Sequence, residues 1–160
     1  MSKSVLLNPF KLGGIGELKN RVVLAPLTRA RSGRSQIPND ANILYYTQRA
    51  SAGLIITEGA ILSKQAMGWQ GAPGIYNEDH VEGWKKVTQA VHEKGGKIFC
   101  QLWHLGRVAH SEFHGLQPIA PSAIKVDGQT HIYGIIIIII IIIIIVIIII
   151  VIIVIIIIIN

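Results

Sequence analysis

The sequence has little of several features that would assign a function directly. It contains one cysteine, Cys100, so no disulfide can form within the chain, and we expect a reducing, cytoplasmic location. The first residues are not followed by an apolar stretch of the length that a secretory signal needs. No Ser-His-Asp arrangement and no pair of catalytic carboxylates can be read from the sequence. The familiar hydrolase classes therefore have no support.

The sequence also has no long cluster of basic residues. The net charge is +6, but the basic residues are scattered and only Arg29, Arg31 and Arg34 cluster. Aromatic residues are not interleaved with them, as they are in proteins that bind single-stranded nucleic acid. A basic surface can equally just solvate a fold. We expect an anionic small molecule rather than nucleic acid as the partner.

One long hydrophobic run stands apart from the rest. Residues 135–159 are only isoleucine and valine, whereas the hydrophobic share of residues 1–133 is ordinary for a globular protein. We therefore predict a folded segment over 1–133 and a low-complexity tail over 134–160, which we interpret as an artefact. The tail is long enough to span a membrane, but it lacks the mixed composition and flanking charges of real spans. A genuine tail and a membrane anchor are the alternatives.

Strand and helix signals alternate along the folded segment. The pattern predicts, in order, a buried strand over 22–25, a helix over about 41–51, a strand over 54–57, a helix over about 78–94 and a strand over 98–102. An extended segment with a turn precedes the first strand. Strands joined by helix-length connections run parallel.

The two helices carry recognisable starting signals. Asp40 is expected to cap the first, with Leu44 and Tyr45 on its apolar side. Asn77 is expected to cap the second, which buries the stripe Val81, Trp84, Val87 and Val91 and pairs Glu82 with Lys86 on its exposed side.

Two folds accommodate such parallel units. A Rossmann fold would carry a G-x-G-x-x-G turn after the first strand, but the sequence there is Pro26-Leu27-Thr28-Arg29. We therefore predict an α/β fold of the (βα)8 TIM-barrel class, of which about the first three units can be read. In such barrels functional residues follow the C-terminal ends of the strands.

Strand parity orients the residues of the third strand. Phe99, Gln101 and Trp103 share one face, and the apolar residues between them suit packing under helices. Gln101 is then expected to face the barrel interior. There it could make a core hydrogen bond or bind a planar polar ligand. Thr28, at the end of the first strand, could likewise serve a turn or a ligand.

Other candidate residues have equally ordinary explanations. Trp69 and Trp103 are expected in loops, where they could form an aromatic wall or simply pack. His110 and His114 have helical spacing, but no third ligand is evident, so we predict no metal site. Cys100 is expected to be an inert core thiol.

Four motifs in order resemble the Old Yellow Enzyme family, and in particular its 12-oxophytodienoate reductase and N-ethylmaleimide reductase-like members. They are residues 20–29 (NRVVLAPLTR), 56–59 (ITEG), 72–75 (APGI) and 101–107 (QLWHLGR). The resemblance implies an FMN-containing (βα)8 barrel in which NADH or NADPH reduces the flavin. The reduced flavin then gives hydride from N5 to the alkene of an α,β-unsaturated carbonyl compound.

The resemblance also assigns roles to individual residues. Pro26, Leu27 and Thr28 would contact the isoalloxazine, with the Thr28 hydroxyl donating to the carbonyl beside N5. Gly59 would let the backbone approach the ring, and Gln101 would hold its pyrimidine edge. The substrate cleft would be shaped by Trp69 and Trp103.

The resemblance stops near Tyr133. The family's histidine pair, proton donor and phosphate-binding residues lie later, so the readable segment holds no catalytic residue. We expect this chain not to bind FMN tightly. Two alternatives are a non-catalytic barrel fragment and a protein tethered to a membrane through residues 135–159.

Overall fold

A computed structural model describes residues 4–124 and 126, together with the backbone of residues 136 and 137. The elements are β1 (Phe10–Lys11), β2 (Glu17–Leu18), β3 (Val23–Leu24), α1 (Asp40–Thr47), β4 (Leu54–Ile61), α2 (Glu78–Glu93), β5 (Ile98–Trp103), α3 (Ser111–His114), β6 (Ile119–Ala120) and β7 (Ile136–Ile137). None of the helices in this part is long and apolar enough to cross a membrane. The predicted boundary at residue 133 and the nature of the tail lie outside the described residues, apart from the pairing of β7 with β6.

The central sheet has the order β3-β4-β5, and all three strands run parallel. Val23 is in register with Leu54, and Ile55 is in register with Ile98. The connections contain α1 and α2, so the predicted strand–helix alternation is confirmed. The C-terminal ends of the strands consequently meet at one edge of the sheet.

The main core lies between the sheet and the two helices. Its buried members are Tyr46, Ala50, Ile55, Ala60, Trp84, Val87 and Val91. Ile98 and Cys100 of β5 are half-buried and pack against this cluster, which confirms the face that strand parity assigned to them. Asn77 caps α2 as predicted, since its side chain accepts the His80 N–H at 2.9 Å.

The first helix departs from the prediction at both ends. Its cap is Asn39, not Asp40: the Asn39 side chain accepts the Ala41 N–H, and the Asn42 side chain accepts the Asn39 N–H. This reciprocal pair is a capping box, which adjacent polar residues make hard to place from sequence. The helix ends at Thr47 rather than near residue 51.

The apolar side of α1 was predicted correctly for Tyr45, which packs against the main core, but wrongly for Leu44. Leu44 is 59% exposed, whereas Asn42 and Tyr46 are buried. Polar side chains can occupy a core position only with partners. Asn42 and Tyr46 both donate to Glu58 of β4, and Asn42 also accepts from Ser32, so the hydrophobic pattern of α1 alone could not show the orientation.

Three further differences are local. The predicted buried strand over 22–25 is reduced to β3, and its Val23 is 47% exposed; within the described residues β3 pairs only with β4. Glu82 pairs with Lys85 at 2.6 Å instead of Lys86. The N-terminal segment contains an antiparallel pair, β1 with β2, where only a turn was expected.

Candidate functional site

The strand β4 is longer than predicted and carries a bulge. The strand was predicted to end at residue 57, but Glu58, Gly59 and Ala60 also belong to β4. Ile56 is in register with Phe99 and Gly59 with Gln101, so Thr57 and Glu58 lie opposite the single residue Cys100. Such an extra residue bends a strand and redirects its side chains.

A threonine side chain fastens the bulge. The Thr57 hydroxyl accepts the Gln101 N–H at 3.0 Å and donates to the Glu58 carbonyl at 2.7 Å. It replaces the regular backbone bond that the extra residue interrupts. The bulge therefore fixes the relative placement of Gln101 and the residues around Glu58.

Glu58 is the residue that the sequence analysis missed. Its side chain is only 1% exposed and reaches α1, where Asn42 Nδ2 and Tyr46 Oη donate to Oε1 at 3.3 and 3.4 Å. Its other oxygen, Oε2, accepts the N–H groups of Arg29 and Ala30 at 2.8 and 2.9 Å. The only signal in the sequence was an acidic residue inside an apolar run.

The tyrosine of this cluster is bonded twice to Glu58. Tyr46 Oη also accepts the Glu58 backbone N–H at 2.8 Å. Burial raises the pKa of Tyr46 far above its usual range, and the charge of Glu58 raises it further. The phenol therefore stays protonated and able to donate at all ordinary pH values.

Gly59 lies beside Gln101 and against an indole ring. A Cβ atom at Gly59 would stand 2.5 Å from Cε3 of Trp103, which is closer than carbon atoms approach without displacement. The group that lies closest to Gly59 in this structure is therefore Trp103. Contact between Gly59 and a flavin stays a prediction.

The polar residues expected to hold the flavin lie at the C-terminal edge of the sheet, on the side away from α1 and α2. We call this the open side. Gln101 is exposed and Thr28 is half-buried, and within the described part of the chain neither side chain has a hydrogen-bond partner. Pro26 is exposed, and Leu27 is 56% exposed. A flat ligand with polar edges fits this set of free donors and apolar surfaces, and FMN has those features.

The two tryptophans lie together, although one prediction about them was wrong. Trp103 is the last residue of β5 rather than a loop residue. Trp69 is in the loop after β4 and is 52% exposed, and its ring centroid is 6.3 Å from that of Trp103. The pair forms an aromatic wall next to Gly59.

A second small core holds the loop that carries Trp69. It consists of the buried residues Ile61, Ala66, Ala72, Leu105 and Ala109, with Met67 and Trp103 packed against it. The Ile61 N–H also donates to the Pro73 carbonyl at 2.8 Å. The loop is thereby fixed at both of its ends.

The histidines after β5 do not assemble a metal site in the described residues. His110 Nδ1 is 3.9 Å from Glu112 Oε2, and no group of three or more metal-binding side chains occurs in this part of the chain. Burial lowers the pKa of both His104 and His114.

Cys100 faces away from the open side. Its thiol is free, and burial raises its pKa to about 11, while a hydrogen bond with Thr57 opposes the rise. A thiol with so high a pKa is a poor nucleophile at neutral pH. This agrees with the expected inert core thiol.

Comparisons with known proteins give a consistent result. Residues 5–134 match the model of the NADH:flavin oxidoreductase / NADH oxidase family. The flavin oxidoreductase hxnT of Emericella nidulans is 47% identical over 130 residues, covering 78% of this chain and 33% of that protein. A probable flavin mononucleotide-dependent alkene reductase of Leishmania infantum is 44% identical over 129 residues, covering 79% of this chain and 35% of that protein.

A solved structure agrees with these relatives. The Old Yellow Enzyme homologue of Zymomonas mobilis superposes with a TM-score of 0.75 at 48% identity, covering 81% of this chain and 36% of the other. The chain thus spans about a third of the length of the proteins it matches, and its architecture is the N-terminal part of an α/β barrel. This chain belongs to the NADH:flavin oxidoreductase / NADH oxidase family and corresponds to the N-terminal portion of an Old Yellow Enzyme.

Proposed function

We propose that this chain supplies one wall of the flavin site of an FMN-dependent NAD(P)H oxidoreductase. The observation that carries the proposal is the open edge of the sheet, where Gln101 lies beside Gly59 and keeps its amide free. Thr28 follows the neighbouring strand β3 and keeps its hydroxyl free in the same way. Ligands of α/β barrels bind at this end of the strands.

Each residue of this edge has a proposed task toward the ring. Thr28 donates a hydrogen bond to the flavin carbonyl beside N5, and Gln101 binds the pyrimidine edge. Pro26, Leu27 and Gly59 present apolar surface and backbone to the ring. A donor beside N5 stabilises negative charge on a reduced ring, so Thr28 would raise the reduction potential. FMN itself would supply the capacity to accept a hydride and pass it on.

We propose activated alkenes, such as α,β-unsaturated carbonyl compounds, as substrates and NADH or NADPH as the reductant. The Leishmania infantum relative is named as an alkene reductase, and the family description names NADH. The aromatic wall of Trp69 and Trp103 would line the substrate cleft. The proton donor and the histidine pair would come from beyond residue 133. Separately, we propose a reducing, cytoplasmic location, which the free Cys100 thiol supports.

Flavin titration of the 160-residue chain tests the site. We expect weak, saturable binding of FMN and of riboflavin with similar affinities, because the phosphate-binding residues of the family lie outside the described part. Replacing Thr28 or Gln101 by Ala should weaken both, while Gln89→Ala on the exposed side of α2 should not. A stoichiometrically yellow purified protein would contradict the expected weak binding, and equal binding by all variants would contradict the proposed site.

A kinetic test is available in a complete barrel that contains this segment. There, Thr28→Ala should slow the reduction of the flavin by NAD(P)H, because the reduced ring loses a stabilising donor. Rapid-mixing absorbance at the flavin band measures this half-reaction directly. Unchanged kinetics would remove Thr28 from its proposed task.

A second candidate is a non-catalytic barrel fragment that is stable only with another chain. It is favoured by the exposure of β3, since Val23 is 47% exposed and β3 pairs only with β4 among the described residues. Strand edges of this kind bind other strands. Folding that depends on protein concentration, seen by light scattering with circular dichroism, would support this candidate, and folding independent of concentration would contradict it.

A further inference from the structure

We propose that Glu58 is a positioning residue for the flavin site, acting through the segment that follows Thr28. The inference rests on the proposed role of Thr28 and adds the question of what holds that residue in place. Glu58 does not reach the open side of the sheet edge. Its carboxylate instead binds the two backbone N–H groups directly after Thr28, those of Arg29 and Ala30.

The carboxylate joins three separate parts of the structure. Oε2 accepts from the segment after β3, and Oε1 accepts from Asn42 and Tyr46 of α1. Glu58 itself belongs to β4, next to Gly59. One buried group therefore fixes the start of the β3–α1 loop relative to the strand that forms the floor of the proposed site.

The segment that Glu58 holds has an uncommon backbone conformation. Ala30 has a φ of +54°, a left-handed value that is unfavourable for a residue with a Cβ. Two N–H groups directed at one carboxylate oxygen can offset such a cost, because hydrogen bonds to charged groups are stronger than neutral ones. Without the carboxylate, this conformation would lose a main source of stabilisation.

The opposite side of the same segment is packed against the loop after β4. The Ser32 N–H donates to the Gly71 carbonyl at 2.9 Å, and a Cβ at Gly71 would stand 2.6 Å from the Ala30 carbonyl oxygen. The segment is thus confined between Glu58 and Gly71. Thr28 directly precedes Arg29, the first residue of this confined segment. The segment therefore helps to fix the position of Thr28.

The donor set explains why a carboxylate is needed here. All four side-chain contacts of Glu58 are with groups that can donate, and an ionised carboxylate only accepts. A glutamine would direct its NH2 either at the Arg29 and Ala30 N–H groups or at the Asn42 NH2 group. Either orientation opposes donor to donor, although the size of the side chain is unchanged.

The test compares Glu58→Gln with Glu93→Gln in the full chain. Glu93 is exposed at the end of α2, so its variant loses the same charge away from the site. Amide hydrogen exchange is measured at single residues, with Ile61 as the internal reference. We expect exchange at Arg29 and Ala30 to accelerate about tenfold or more in Glu58→Gln, with Ile61 and the Glu93→Gln variant unchanged.

Riboflavin affinity provides the functional readout. Glu58→Gln should weaken binding about as much as Thr28→Ala, and the double variant should be no weaker than either single one, because both changes remove the same contact. Unchanged exchange at Arg29 and Ala30 would overturn the proposal. Equal acceleration at Ile61 would also overturn it, since Glu58 would then only stabilise the whole fold. Additive losses of riboflavin affinity in the double variant would overturn it too.

Two controls keep the result interpretable. If circular dichroism shows that Glu58→Gln does not fold, Glu58→Asp keeps the charge and shortens the reach, and the same accelerated exchange at Arg29 and Ala30 is expected. If the unaltered chain binds neither riboflavin nor FMN, the proposed function of this chain fails and so does the link to flavin. The exchange result then still decides whether Glu58 holds the segment.

Discussion

Two groups of polar side chains lie on opposite sides of the same sheet edge, and they differ in how their hydrogen bonds are used. Asn42 and Tyr46 are buried and both donate to Glu58, which is buried as well. Thr28 and Gln101 are at least partly exposed and have no side-chain partner among the described residues. Buried polar groups need hydrogen-bond partners within the protein, whereas exposed ones can be solvated by water and remain available to a ligand. The first group is therefore scaffold and the second is the candidate binding surface.

Strand β4 separates the two groups. Successive residues of a strand point to opposite faces, so Glu58 contacts α1 while Gly59 lies against Trp103. Adjacent residues thus serve different sides of the sheet. Substitutions on the helix side should affect stability, and those on the open side should affect binding.

The largest effect is expected where the helix side is most tightly packed. Trp84 is 1% exposed and its indole N–H donates to the Gly74 carbonyl at 2.9 Å. Trp84→Ala should lower the free energy of unfolding by about 3–5 kcal/mol. The matched change Trp69→Ala, on the open side, should cost less than about 1 kcal/mol. Urea unfolding measures both, and similar losses would contradict the distinction.

The pH dependence of Cys100 alkylation probes the helix side next. Since burial raises the pKa of the thiol to about 11, folding disfavours the reactive thiolate. At pH 8 iodoacetamide should react at least about a hundredfold more slowly with the folded chain than with the chain in urea. The rate should rise about tenfold per pH unit up to about pH 11. A plateau near pH 9 would show an ordinary exposed thiol.

Removing one hydroxyl from the buried polar group should have a moderate effect. Tyr46→Phe leaves the Glu58 N–H without its acceptor and the carboxylate with one donor fewer. The expected loss is about 1–3 kcal/mol in the free energy of unfolding. Tyr45→Phe is the matched control on the same helix, and thermal unfolding should barely distinguish it from the unaltered chain. Equal losses in the two variants would show that the Tyr46 hydroxyl is not held by Glu58.

The smallest effect on stability is expected at Gln101. Its amide is exposed, so Gln101→Ala should change the free energy of unfolding by less than about 0.5 kcal/mol. The same variant should nevertheless bind riboflavin more weakly. A large loss of stability would instead mean that Gln101 completes the core, which was the alternative reading of its position.

The features that depend on local periodicity and on neighbouring residues were predicted correctly. The parallel order β3-β4-β5, the Asn77 cap and the helix-facing side of Ile98 and Cys100 follow from neighbouring residues in the chain. The sequence could not predict the inward orientation of Asn42, because that orientation depends on Glu58 sixteen residues away. The bulge was equally hidden, since it is defined by the register of two strands.

The candidate site divides in the same way. The resemblance proposed Thr28, Gly59 and Gln101, and the structure places Gly59 beside Gln101 at the open edge. It also brings Trp69 to Trp103, which spacing alone did not require. Glu58 was missed because a single acidic residue in a strand gives no sign of its four donors.

The most direct test of the central claim is a map of amide exchange in the full chain with and without saturating riboflavin. If the open edge is the flavin wall, exchange should slow at residues 27, 28, 59 and 101–103 and stay unchanged along α2. Protection confined to α2, away from the open edge, would contradict the claim. Saturable binding without any protection at the open edge would contradict it equally.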